Sequence, residues 1–209
     1  MFQTALILAA ISAAFTSGFP PPIPPCQIIT YELQRAFRPK DPQTFPIISD
    51  FDYTRNHITI TFDFFNLTLK GFSNVSCNSF NVSGQNVATL NLKGLNLDFN
   101  TGDAYIHINQ PGSDNSIKPK FTSQLRFYTL DLMFKYDSYI PDPLSLCITR
   151  DSLEMTFSAD IILTNVGNST EVTQELNDHP EAVVRAINNY LPRFASNLTA
   201  TLNERLCLS

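Results

Sequence analysis

From Ile58 the chain alternates strictly: Ile58, Ile60, Phe62 and Phe64 are apolar, and Thr59, Thr61 and Asp63 between them are polar or charged. A period of two puts each set on its own face of a pleated strand, so this segment predicts a half-buried strand. Further candidate strands follow at 72–83, 87–99, 104–109, 121–136, 144–149 and 153–163. The last alternates most cleanly, with Leu153, Met155, Phe157, Ala159, Ile161 and Leu163 set against Glu154, Thr156, Ser158 and Asp160. The two ends carry a helical period instead. Residues 27–37 place Ile29, Leu33 and Phe37 four apart, one stripe of a short amphipathic helix that Pro39, Pro42 and Pro46 bring to an end. Near the C-terminus Val184, Ile187, Leu191, Phe194, Leu198 and Leu202 recur every three or four positions, predicting an amphipathic helix of about 25 residues. Asn177 or Asp178 supplies its cap, Pro180 fits its first turn, Glu181 favours the positive end of its dipole, and Pro192 kinks it.

The order is therefore short helix, antiparallel strands, long apolar-faced helix, an α+β arrangement. A helix with a long apolar stripe needs a cover, and a curved antiparallel sheet with one apolar face supplies it.

The stretch FNLTLKGFSNVSCNSFNVSG (65–84) adds candidate chemistry to the sheet. It contains the N-glycosylation acceptors Asn66, Asn74 and Asn81, and Asn168 and Asn197 head further Asn-X-Ser/Thr triplets. Sugars must face out, yet even-numbered positions face inward from Ile58 to Phe64. The alternation must then slip near Phe64–Phe65, the mark of a bulge. Asn74 and Asn81 have opposite parity, which calls for a second break at Asn78–Ser79.

Residues 5–15, ALILAAISAAF, form an uncharged apolar run too short to span a bilayer, which needs about 20 residues. Small residues and the Phe19-Pro20-Pro21 break follow, so 1–18 reads as a signal peptide and 19–209 as a single domain. The mature chain is expected to be secreted and extracellular, with no membrane span. A net charge of −5 without a basic block argues against nucleic acid and anionic membranes as partners. Seventeen Phe and 7 Tyr with no Trp give an aromatic-rich interior, while charged residues are only 16% of the chain, so attached glycans would supply much of the solubility.

Four cysteines, Cys26, Cys77, Cys147 and Cys207, suit an oxidising compartment and lie too far apart for zinc or thiol redox motifs. Four cysteines allow three connectivities, and the sequence alone does not choose among them. The pairing expected here is Cys26–Cys77 with Cys147–Cys207, each tying a chain end to the sheet.

Catalytic signatures are missing: there is no G-x-S-x-G, no H-E-x-x-H and no phosphate-cradling glycine loop. His57, His107 and His179 stand in dissimilar contexts. Asp50-Phe51-Asp52 offers paired carboxylates for calcium or acid–base work, but a turn before the first strand explains them as well. No enzyme activity, cofactor or metal is expected.

Two resemblances refine this picture. The segment ITITFDFFNLTLKGFSNV, with its Gly71-Phe72-Ser73-Asn74 turn, and the late TNVGNSTEVTQELNDHPEAVVRAINNYLPRF resemble the takeout and juvenile-hormone-binding proteins of insects. That resemblance implies a TULIP-like fold, a strongly curved antiparallel β-sheet wrapped around a long C-terminal helix and enclosing a tunnel for a hydrophobic small molecule. Phe62, Phe64, Phe157 and Phe194 are then the candidate lining, with plain core packing as the alternative for all four. More narrowly, the leader PPPIPPC, the FNLT acceptor followed by Cys77, the YTLDLMF strand leading to Leu146-Cys147, and the terminal Cys207 resemble the fibrohexamerins, glycoproteins of caterpillar silk. A fibrohexamerin-like protein would bind fibroin-type silk chains through apolar contacts and keep them soluble during secretion.

Overall fold

The structure is a computed structural model that describes residues 25–83, 86–110, 112–138, 146–149 and 151–206. The expected signal peptide, most of the proline leader and Cys207 lie outside the described residues. Helix α1 (Pro25–Phe37) forms where the four-residue spacing predicts it, and Ile29, Leu33 and Phe37 are all buried. Its stripe packs with Val75, Leu90 and Leu92 in one of the two hydrophobic cores.

The next element departs from the expectation. Gln43–Arg55 is a strand, β1, so Asp50-Phe51-Asp52 is not a turn before the first strand. Pro42 and Pro46 read as breakers, but β1 pairs only with β2 (Ile58–Lys70) among the described strands, and a strand at a sheet edge tolerates proline. Asp50, at φ 54°, sits in a bulge between the Ile48 and Phe51 pairings, and its N–H donates to the Asp63 carboxylate at 2.9 Å. The β1–β2 hairpin closes through Asn56 and His57, both at positive φ (47° and 67°), the backbone of a two-residue turn.

In β2 the inward set runs Ile60, Phe62, Phe64 and then Leu67, Leu69. The slip lies one residue beyond its expected place, at Asn66, which is exposed at φ 51°. The second break is also present. After the short 3-10 turn Phe72–Asn74, strand β3 (Ser76–Ser83) shifts register against β4 (Val87–Lys93) between Cys77 and Ser79, leaving Asn78 unpaired.

The remaining strands are β5 (Asn96–Thr101), β6 (Asp103–Gln110), β7 (Ser113–Ile117), β8 (Phe121–Arg126), β9 (Thr129–Ser138), β10 (Leu146–Ile148), β11 (Glu154–Ser158) and β12 (Ile161–Val166). They form a seven-stranded sheet, β12-β8-β5-β2-β6-β7 with β1 on β2, and a five-stranded sheet, β10-β9-β4-β3 with β11 on β9. Among the described strands all the pairings are antiparallel, and neither sheet closes on itself. Instead of the single sheet expected, there are two that share strands end to end. Three long expected strands, 87–99, 121–136 and 153–163, each divide at a common seam, at Gly94–Leu95, Phe127–Tyr128 and Ala159–Asp160. Hydrogen bonds run along the seam: Gly94 N–H donates to the Tyr128 carbonyl, Phe127 N–H to that of Leu95, and Asp160 N–H to that of Arg126.

At each crossing the alternation changes parity. Ala88, Leu90 and Leu92 point inward before the seam, Leu97 and Thr101 after it; Phe121 and Leu125 give way to Leu132 and Phe134. The same flip corrects the 153–163 reading. Leu153 and Phe157 are buried, but Ile161 and Leu163 are 41% and 46% exposed, and Ile162, Thr164 and Val166 take the inward places.

The C-terminal segment is helical from Thr170, earlier than expected, and comprises α2 (Thr170–Asp178), α3 (Pro180–Tyr190) and α4 (Pro192–Leu206). Ser169, not Asn177 or Asp178, provides the side-chain cap by accepting from Val172 N–H. His179 breaks the helix ahead of Pro180, and the interruption before Pro192 falls where the sequence places the kink. The buried stripe is Ala182, Val183 and Ala186; Val184, Ile187 and Leu191 are only half-buried. Small side chains bring the α3 backbone close to the sheet and leave the larger ones on its flank. This segment and the seven-stranded sheet enclose the larger core.

Candidate functional site

The larger core is built on aromatic rings. Phe62 and Phe64 stack at 5.6 Å between centroids, and Phe121 meets Phe64 at 4.8 Å. Phe51 of β1 lies 6.1 Å from Phe62 and 5.5 Å from Tyr190 of α3, and Tyr190 lies 5.4 Å from Phe194. All these separations fall in the favourable range for ring pairs. The rings make a continuous chain from Phe62, 1% exposed, to Phe194, 41% exposed. Three of the four expected lining residues thus belong to one path, joined by Phe51 and Tyr190, which the alternation did not single out. Phe157 belongs to the same core but sits apart, stacked on Tyr128 at the seam.

The helical segment is fixed to the sheets very differently on its two sides. Along β12, β11 and β10 its side chains replace a missing strand. Asn177 accepts from Thr164 N–H (2.7 Å) and donates to its carbonyl (2.8 Å), and Asn188 does the same to Phe157 (2.7 and 2.9 Å). Asn203 repeats the pair at Ile148 (2.8 and 2.7 Å), and the Thr173 hydroxyl accepts from Val166 N–H at 2.9 Å. A side-chain amide presents the same donor and acceptor as a peptide group, so each asparagine satisfies an edge residue whose backbone would otherwise lie open.

Along β1 the attachment is sparser. Tyr53 donates to Glu175 Oε1 at 2.8 Å, and Arg55 reaches the same carboxylate at 3.2 Å. Further along, the Tyr190 hydroxyl donates to the Ser49 carbonyl at 2.8 Å. Burial works against the Glu175 charge, but the Tyr53 and Arg55 hydrogen bonds and the Arg55 charge outweigh it and hold the carboxyl below its usual range. Burial, then the bond to Glu175, pushes the Tyr53 phenol up. Between β1 and α3 lies an open recess of about 420 Å³ with Ala182 and Ala186 among its lining and Asp50, Asp52, Arg185 and Arg193 around it.

The seam has its own requirements. A Cβ on Gly94 would stand 2.3 Å from the Tyr128 ring, and one on Gly71 (φ 111°) would stand 2.1 Å from the Asn96 carbonyl oxygen. The Asp41 carboxylate accepts from the N–H groups of Gly71 (3.0 Å) and Ser73 (2.9 Å), which fixes the Gly71–Asn74 turn. Burial, helped by the Asp41 charge, pushes the Tyr128 phenol up to about 12.

The other sequence candidates fall in separate places. Asn66, Asn74, Asn81 and Asn168 are all exposed, and the Asn197 side chain lies outside the described residues. Cys26 and Cys77 are bonded, with Cα atoms 5.1 Å apart, tying α1 to β3. Cys147 is in β10, and its expected bond to Cys207 lies outside the described residues. His57 is at the hairpin tip, His107 bonds Ser116 on the outer face of β6, and His179 marks the α2–α3 break. Asp52 accepts from the Thr61 hydroxyl at 2.7 Å. Among the described residues no three His, Cys, Asp or Glu side chains gather as a metal site.

No protein-family model matches the chain, and no curated protein matches it in sequence. Solved structures do. Takeout 1 of Epiphyas postvittana aligns with a TM-score of 0.58 at 12% identity, over 96% of this chain and 90% of that one. The fold is takeout-like. A lipopolysaccharide binding protein aligns at a TM-score of 0.42 and 14% identity, with 97% of this chain lying on 40% of that one. The takeout resemblance read from the sequence is met at the level of fold, whereas no sequence match carries the fibrohexamerin resemblance. In this takeout-like chain the aromatic path from core to surface passes between β1 and α3, the side on which fewer side-chain hydrogen bonds join the helices to the sheet.

Proposed function

We propose that this protein is a secreted, N-glycosylated, non-enzymatic carrier of a small hydrophobic ligand, held between the seven-stranded sheet and the α2–α3 segment. The observation that carries the reading is the aromatic chain Phe121–Phe64–Phe62–Phe51–Tyr190–Phe194, which offers an apolar ligand a continuous surface from core to solvent. The Cys26–Cys77 bond suits an oxidising compartment, and among the described residues no helix is long and apolar enough to cross a membrane. The test is organic extraction of protein purified from a secreting host, with mass spectrometry of the extract. A stoichiometric apolar compound supports a carrier; protein that yields none, and takes up none when offered a panel of lipids, rules it out.

A second reading, association with fibroin-type silk chains, has one observation in its favour. Leu95, Phe127, Ile161 and Leu163 are exposed at and beside the seam on β5, β8 and β12, while the acceptors Asn66, Asn74 and Asn81 lie on β2, β3 and the turn between them. An outer surface that carries both sugar acceptors and exposed apolar groups suits a protein that solubilises another chain. A native pull-down from the secreting tissue separates the readings: a large glycine-rich partner without bound lipid favours this one, and bound lipid without such a partner favours the carrier.

A further inference from the structure

We propose that the recess between β1 and α3 is the mouth of the interior, and that it holds the head group of a zwitterionic amphiphile. The inference rests on the carrier reading and specifies its site. Its first support is the asymmetry of the helical attachment. Opposite β12, β11 and β10 the helices are sealed to the edge by Thr173, Asn177, Asn188 and Asn203. Opposite β1 the bonds at Glu175 and Tyr190 stand at the two ends of a stretch in which α3 presents Ala182 and Ala186, and the recess of about 420 Å³ opens there. The bulge at Asp50 breaks the regular line of β1 at the same place.

The second support is the sequence of environments met from outside inward. At the rim, Asp50 and Asp52 stand on the strand side and Arg185 and Arg193 on the helix side. Among the described residues Arg185 makes no ion pair, and Arg193 lies over the Tyr190 ring at 4.8 Å. Two carboxylates facing two guanidiniums across an open gap complement a head group with an ammonium and a phosphate or carboxylate. A purely anionic or purely cationic head would meet one like-charged wall. Inside the rim, Phe51 and Tyr190 lead to Phe62 and Phe64, which suits an alkyl or isoprenoid tail.

The test uses the full glycosylated chain and displacement of a neutral, polarity-sensitive apolar dye. Lysophosphatidylcholine is compared with a fatty acid and an alkyltrimethylammonium salt of equal chain length. The unmodified protein is expected to bind the zwitterion roughly tenfold more tightly than either singly charged amphiphile. Arg185→Glu with Arg193→Glu, both at exposed positions, should abolish that preference, read as the ratio of the zwitterion's affinity to those of the two singly charged amphiphiles. Asn189→Trp, at a further exposed position in the lining, should weaken dye and amphiphiles alike by narrowing the gap. If the unmodified protein binds neither dye nor any amphiphile, the carrier reading itself falls. If it binds them but shows no head-group preference, or if all these variants behave as the unmodified protein does, the carrier stands and this mouth is overturned.

Discussion

Glu175 is where a single residue decides how the helical segment meets β1. Its carboxylate receives both Tyr53 and Arg55, and its side chain is only 23% exposed. Because the folded pKa is depressed, the stability this group contributes is present above its unfolded value, near 4.3, and is lost as pH falls through the folded one. Chemical denaturation followed between pH 7 and 3 should therefore show stability declining in the acid range. Glu175→Gln should lower stability at pH 7 by about 1 kcal/mol and flatten part of that decline. An unchanged pH profile in the variant would mean that the carboxylate contributes nothing to closure. None of this was legible in the sequence, because Tyr53 and Arg55 sat in a segment read as loop and turn, and Glu175 lay ahead of the expected helix.

At the scale of elements, the asparagines of the terminal helices act as the outermost rung of each sheet. Asn188→Ala leaves the Phe157 N–H and carbonyl, at a largely buried position, without their partner, and should cost about 2–4 kcal/mol. Hydrogen exchange should show Phe157 N–H losing protection while the β4–β9 ladder keeps it; uniform loss would point to general unfolding instead. Helix α1 depends on a different fastening. In the chain-entropy model the Cys26–Cys77 bond, closing a separation of 51 residues, contributes about 4 kcal/mol. Replacing both cysteines by serine should lower the thermal midpoint and increase binding of a hydrophobic dye as Ile29 and Leu33 become accessible. The α1 stripe was readable because a short helix on one core needs only its own period. The seam was not, because alternation persists on both sides of it and only its phase changes. Ile161 and Leu163 looked like core for that reason: an apolar residue at the right spacing gives no sign that the chain has just moved from one sheet to the other. The edge strand β1 was hidden by its prolines and by a bulge that imitates a turn.

For the whole molecule, the two interruptions inferred from sugar placement give a direct expectation. Asn66 and Asn78 carry the irregularities, so Asn66, Asn74 and Asn81 all reach solvent without turning their neighbours inside out. Glycopeptide mapping of protein from a secreting host should find all three occupied; persistent vacancy at Asn74 or Asn81 would mean that outward exposure is not what these breaks provide. The seam extends the same logic to the entire chain. Each strand that crosses it is re-phased there, so each sheet keeps its own assignment of faces independently of the other. A one-residue insertion or deletion in β11 would therefore not propagate into β12 if Ala159–Asp160 absorbed it, and the same holds on either side of Gly94–Leu95 and Phe127–Tyr128. The two halves of the molecule are then free to vary separately in length and sequence. That leaves the outline of the fold intact while erasing positional correspondence, as in the 12% identity over nearly the full length of a takeout protein.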